Sequence, residues 1–234
     1  MGLPQPMPSA VLQRKDESYG GVTYHIEGAL VPVLEIDLTS MPVYFEHHVL
    51  LWKNPSVQIS VKAVKGGFTR LISGMPVFLT EAKGPGRIAF SRDGVGQVFG
   101  IHLERGQSVD VREHQFLAAT ETVSYSSARM KGSSNILMGS TGFFIDTFSV
   151  VDRPGLLWLH GYGNVFESVL EQGEQIDIEP GGWVYKDQSV QMQTIHQSLG
   201  SGLLAGTEQM AWTRFTGPGR VCLQSKYIHL PTAG

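Results

Sequence analysis

The stretch GPGRIAFS at residues 84–91 is written again as GPGRVCLQS at 217–225, 133 positions further on in a chain of 234 residues. A repeated Gly-Pro-Gly phrase has two readings. A phosphate loop needs a longer glycine-rich span that ends in Lys-Ser or Lys-Thr and leads into a helix. Here the phrase leads instead into RIAFS and RVCLQS, short runs of the kind that form strands. RPGLLWLH at 153–160 is a third copy of the same arrangement. Pro at the first central position and Gly at the second predict a type II turn. Structural turns are therefore expected at Gly84, Pro85 and Gly86, at Pro154 and Gly155, and at Gly217, Pro218 and Gly219.

A second echo shares this period. GQVFGIHLERGQSVDVREHQFLA (96–118) aligns without gaps on GNVFESVLEQGEQIDIEPGGWVY (163–185), and VYFEHHVLL (43–51) aligns on VDVREHQFL (109–117). From Val43 to Pro85 is 42 residues, from Val109 to Pro154 is 45, and from Ile176 to Pro218 is 42. Two independent markers thus keep their order and spacing three times, which is the signature of an internal repeat. The units are 28–91, 96–160 and 163–225. VYF, VDV and IDI place apolar groups at alternate positions, the period of a strand, and no long stretch has helical periodicity. The expected fold class is all-β, with three tandem β-sandwich-like repeats arranged with pseudo-threefold symmetry. Units of this size bury too little surface alone and are expected to pack together. Residues 22–228 then form one domain, with 1–21 a flexible N-terminal tail and 229–234 a C-terminal tail. The Ser- and Gly-rich segment 119–140 reads as a loop or extended hairpin.

Composition removes several function classes. A net charge of −3 and a pI near 6.2 argue against general nucleic-acid binding, which needs a basic face. Cys222 stands alone, so no intramolecular disulfide or cysteine zinc site is possible and a reducing compartment is favoured. No run approaches the ~18 apolar residues of a membrane span. The first 21 residues carry no secretory or transit pattern, and Pro6 breaks the myristoylation motif.

The candidate chemistry is sparse. His48 and His114 occupy matching places in two units, but Gly181 holds that place in the third, so no symmetric three-histidine metal site is encoded. His47 and His48 would point to opposite faces of one strand, and there is no cupin-like His-x-His group. His48 and His114 remain the only metal candidates, with structural or surface roles favoured, and no cofactor is expected. Cys222 lacks an activating neighbour and matches Ala89 and Trp158 in the other units, which makes it a packing position. There is no Gly-x-Ser-x-Gly elbow. Glu104 and Glu171, and likewise Asp110 and Asp177, recur with the repeat and so read as structural, since a catalytic pair is normally unique. Arg87 and Arg220 follow the turns and are placed to brace them or to line a cleft. No catalytic residue is assigned.

SGMPVFLTEAKGPGRIAFS (73–91), VDVREHQFLA (109–118), STGFF (140–144) and FTGPGRVCLQS (215–225) together resemble the AIM24 family, over most of residues 22–228. Its members commonly carry an aromatic where Cys222 stands. The resemblance implies three β-sandwich units similar to the tryptophan-sensing RNA-binding attenuation protein, without that protein's ligand or RNA function. It also implies mitochondrial association for a eukaryotic member. The expected role is a non-enzymatic scaffold or interaction protein, cytoplasmic, with a protein partner or self-association and no transmembrane segment. Peripheral membrane association is compatible with that role. A small-ligand-binding or metal-dependent protein is the alternative, and RNA binding is a third reading by fold analogy only.

Overall fold

A computed structural model describes residues 5–6, 16–19, 21–62, 79–129, 144–198 and 209–226. Their regular structure is β-strand, apart from one turn of 3-10 helix at His47–Val49. After β1 (Gln5–Pro6), β2 (Glu17–Tyr19) and β3 (Val22–Glu27) come three successive runs of six strands. The first run is β4 (Val33–Asp37), β5 (Val43–Glu46), β6 (Leu50–Lys53), β7 (Gln58–Lys62), β8 (Leu79–Lys83) and β9 (Arg87–Phe90). The second is β10 (Gly96–Leu103), β11 (Ser108–Arg112), β12 (Phe116–Thr120), β13 (Val123–Arg129), β14 (Phe144–Val150) and β15 (Gly155–Tyr162). The third is β16 (Val165–Leu170), β17 (Gln175–Ile178), β18 (Trp183–Asp187), β19 (Gln191–Ser198), β20 (Gln209–Thr216) and β21 (Gly219–Gln224).

Within each run the pairing is the same and always antiparallel. The sixth strand lies between the first and the third, and the fifth lies between the second and the fourth. The third strand bulges at one matching place each time, at Leu51, Leu117 and Val184. The runs are then joined edge to edge. β12 pairs with β5, which makes the sheet β10-β15-β12-β5-β8-β7, and β18 pairs with β11, which makes β1-β16-β21-β18-β11-β14-β13. The remaining strands form two separate sheets, β2-β3-β4-β9-β6 and β17-β20-β19.

The period of two explains why these sequences pack as they do. Apolar side chains on facing strands meet in three clusters, one centred in each run. Leu34, Ile36, Phe45, Phe90 and Trp158 belong to the first, Val109, Val111, Phe116 and Phe148 to the second, and Trp183, Phe215 and Val221 to the third. β15 is buried along its whole length, from Gly155 to Tyr162. The joint between β11 and β18 also carries charge: Lys186 Nζ lies 2.8 Å from Asp110 Oδ2, and Thr147 Oγ1 donates to Asp110 Oδ1 at 2.8 Å. Both members of that ion pair are mostly buried.

The Gly-Pro-Gly phrase does not take the type II geometry expected of it. The Gly84–Pro85 and Gly217–Pro218 bonds are cis, and Gly86 and Gly219 both have φ of 133°. The leading glycine is needed for close approach: a Cβ on Gly84 would overlap the carbonyl oxygen of Leu38, and one on Gly217 would overlap that of Glu171. In the middle run Arg153 holds this place ahead of Pro154 and Gly155, and no cis bond is formed there. A matching acceptor then starts the sixth strand in every run. Asn54 Oδ1 accepts the N–H of Arg87, Thr120 Oγ1 that of Leu156, and Asp187 Oδ2 that of Arg220. The guanidinium of Arg87 pairs with Glu35 on β4 at 2.7 Å and that of Arg220 with Asp187 on β18 at 2.9 Å, so each arginine ties its strand to a neighbour.

Part of the expected tail is structured. β2 pairs with β3, and Tyr19 stacks on His102 at 4.1 Å and donates its hydroxyl to Glu104, which together with burial raises its phenol to about 12. The expected C-terminal tail, 229–234, lies outside the described residues. Segment 119–140 contributes β13, which forms a hairpin with β14.

Two stability measurements follow. Gly84→Ala and Gly217→Ala should each cost about 1–3 kcal/mol or more through overpacking against backbone. Gly106→Ala, where φ is 80° and a Cβ meets nothing, should cost about 1 kcal/mol from the backbone conformation alone. Urea denaturation of the three variants checks the order. Asp110→Ala should cost about 3–5 kcal/mol, because it leaves a buried ammonium uncompensated. The double variant Asp110→Leu with Lys186→Met should recover most of that loss.

Candidate functional site

Of the two histidines nominated by sequence, the structure places His48 in a polar corner and leaves His114 outside it. His48 sits on the 3-10 turn between β5 and β6, with Nε2 3.3 Å from both Glu46 Oε2 and Arg92 Nη1. Arg92 is buried there, and its Nη2 donates to Glu46 Oε2 at 3.2 Å. Burial, and then the positive charge of Arg92, hold the His48 imidazole below its usual range. His114 is exposed on the matching turn of the next run, with φ of 69°, a left-handed conformation that histidine adopts more readily than most residues. Among the described residues, no three His, Cys, Asp or Glu side chains gather closely enough to hold a metal ion.

The second run supplies the other side of the corner. His160 in β15 is 1 % exposed, and its Nε2 lies 3.2 Å from the carbonyl oxygen of Gly94. A carbonyl can only accept, so Nε2 carries the proton and Nδ1 is left as a buried acceptor without a partner. Tyr162 stands edge-on to this ring at 4.8 Å. The backbone carbonyl of Gln115 accepts the N–H of His160 at 2.8 Å, while its own side-chain amide is fully buried with neither atom bonded. Burial, reinforced by Arg92, pushes the His160 imidazole down to about 4. Sequence reading missed this group because Glu46, Arg92, Gln115 and His160 come together only through the ladder of β5 and β12 on β15.

Cys222 is fully buried on β21 with its thiol pushed well above the ordinary range by burial, which suits packing and not reactivity. Asp110 and Asp177 are structural acceptors: Asp177 takes two hydrogen bonds from Arg214, both at 2.7 Å, and its carboxyl is held below the usual range.

A different kind of site lies at the ends of the chain of runs. β6 pairs only with β9, and β17 only with β20, among the described strands. Their counterparts lie inside sheets. Leu117 and Val184 are completely buried, whereas Leu51 at the same place on β6 is 54 % exposed, and Trp52 beside it is 38 % exposed. Each edge presents backbone donors and acceptors on its open side.

The corner makes a pH prediction. His160 is protonated more easily in the unfolded chain, near its ordinary 6.5, than in the fold, at about 4. Its contribution is therefore complete above pH 6.5 and is lost as pH falls toward 4, by about 3 kcal/mol in all. Chemical denaturation between pH 7 and pH 4.5 should show this slope, and His160→Gln, which keeps a donor for Gly94, should flatten it.

The crystal structure of protein SPYM3_0169 from Streptococcus pyogenes, a structural-genomics target, is similar in fold, with a TM-score of 0.67 and 21% identity over 88% of this chain and 94% of that one. No curated protein matches the sequence significantly. A family model described as mitochondrial biogenesis AIM24 matches residues 24–226. With that match over most of its length, the chain belongs to the AIM24 family.

Proposed function

We propose that the protein is a non-enzymatic scaffold whose three six-strand runs are copies of one module, and that it works by pairing its open sheet edges with protein. The observation that carries this reading is the pair of edges β6 and β17, whose counterparts are all covered within the molecule. Open edges are natural sites of strand addition, in which backbone hydrogen bonds give affinity and alternate side chains give selectivity. Leu51 and Trp52 supply the apolar contacts on β6.

No helix among the described residues is long and apolar enough to cross a membrane. A cytoplasmic setting with peripheral membrane association fits the reading, and the family's description adds mitochondrial biogenesis as a process in which to look for partners.

A second reading, binding of a small polar molecule at the corner, is favoured by the unbonded amide of Gln115 and by Nδ1 of His160. Buried polar atoms normally find a partner in protein or in ordered water. Native mass spectrometry that retains a stoichiometric small molecule, released on changing Gln115→Leu, would support it.

The scaffold reading is tested at its edge. Trp52→Lys should weaken self-association or partner capture at least about tenfold, since charge on an edge strand opposes pairing. Val169→Lys, on β16 away from the open edges, should leave both unchanged. A chain that stays monomeric at high concentration and captures nothing that depends on Trp52 would sink the proposal.

A further inference from the structure

The two joints inside the molecule share one register. In the first, Phe45 faces Ala118, Tyr44 faces Ala119 and Val43 faces Thr120. In the second, Val111 faces Tyr185, Asp110 faces Lys186 and Val109 faces Asp187. The repeat alignment that makes Val43, Val109 and Ile176 equivalent also makes Lys53, Ala119 and Lys186 equivalent, and the bulge recurring at Leu51, Leu117 and Val184 supports it independently. The same register applied to the open edges puts Ile178 of β17 opposite Trp52 of β6, Asp177 opposite Lys53, and Ile176 opposite Asn54.

That register is chemically matched, although nothing in its derivation used charge. Asp177 opposite Lys53 reproduces Asp110 opposite Lys186, an ion pair at 2.8 Å. Lys53 shares one contact of Lys186: its Nζ lies 3.4 Å from the carbonyl oxygen of Asn54, as that of Lys186 lies 3.3 Å from that of Asp187, and it also donates to the carbonyl of Val57 at 3.0 Å. Asp177 keeps capacity for a further donor beside Arg214, as Asp110 accepts both Lys186 and Thr147. Ile178 against Trp52 is an apolar pair, as is Val111 against Tyr185.

Resting on the interaction reading above, we propose that the partner is a second copy of this chain, and that β17 of one copy adds to β6 of the other in the register Asp177–Lys53. The two edges do not pair with each other within one chain. The joints already present run head to tail, from the second strand of one run to the third strand of the next, so a joint between copies continues an interface the molecule has already built twice. Two copies close by exchanging both edges, and more close as a ring.

The test uses the full chain and analytical ultracentrifugation. Lys53→Glu and Asp177→Lys should each lower the association constant at least about tenfold, and an equimolar mixture of the two should regain it, because both joints of a mixed pair are again charge-matched. Thermal melts identify any variant that fails to fold. In a second measurement, Lys53→Cys and Asp177→Cys are carried on separate chains, mixed and oxidised; a disulfide between chains is expected, with buried Cys222 out of reach. Association indifferent to both charge changes would overturn the proposal. So would a disulfide formed within a monomer when one chain carries both cysteines, since that is closure of the chain on itself. If Trp52→Lys abolishes capture of a different protein while the purified chain is monomeric, the scaffold reading stands and the second copy does not.

Discussion

Hydrogen bonding across sheet edges is the constraint on which the rest of this structure depends. A six-strand run that pairs its sixth strand between the first and third, and its fifth between the second and fourth, leaves all four of those flanking strands with one open side. Joining the runs closes some of these sides: in the middle run β12 is closed by β5 and β11 by β18, while β10 and β13 stay at sheet ends. Each outer run has one such joint, through β5 and through β18. The pairing proposed above uses two of the places where a ladder stops, β6 and β17.

The polar corner is a by-product of the same joint. Pairing β5 with β12 carries the turn after β5 over the end of β15, and this draws Glu46 and Arg92 of one run toward His160 and Tyr162 of the next. A buried guanidinium is tolerable only with an acceptor beside it, which Glu46 provides. Burial, and then that positive charge, make the His160 imidazole give up its proton readily. The corner thus couples two runs electrostatically where the core couples them by packing.

Much of the fold was legible because its elements are local. VYF, VDV and IDI alternate as strands do, and they became β5, β11 and β17. The glycines of the GPGR phrase mark close backbone approaches, since a Cβ on Gly84 or Gly217 would strike a carbonyl. The cis bonds were not legible, since Gly-Pro-Gly spells more than one turn. Nor was the placement of Glu17–Tyr19, whose single turn of polar and aromatic letters gains a strand only by docking on β3 and His102. The corner escaped because its members lie up to 114 positions apart, from Glu46 to His160. The open edges escaped for another reason: LLWK, FLAAT and WVYKD are all plausible interior strands, and only topology says which one lies outermost.

The Pro-Gly step that precedes or opens β9, β15 and β21 would seem to invite those strands to trade places during folding. One position argues otherwise for β15. Ala89, Trp158 and Cys222 occupy the same position of the sixth strand in the three runs, and all are fully buried. Seating the alanine strand in the slot shaped for tryptophan would leave a void worth roughly 3–5 kcal/mol, and the reverse exchange would force an indole into space for a methyl. Bulk at one position thus works as an address that keeps β15 out of the slots of β9 and β21.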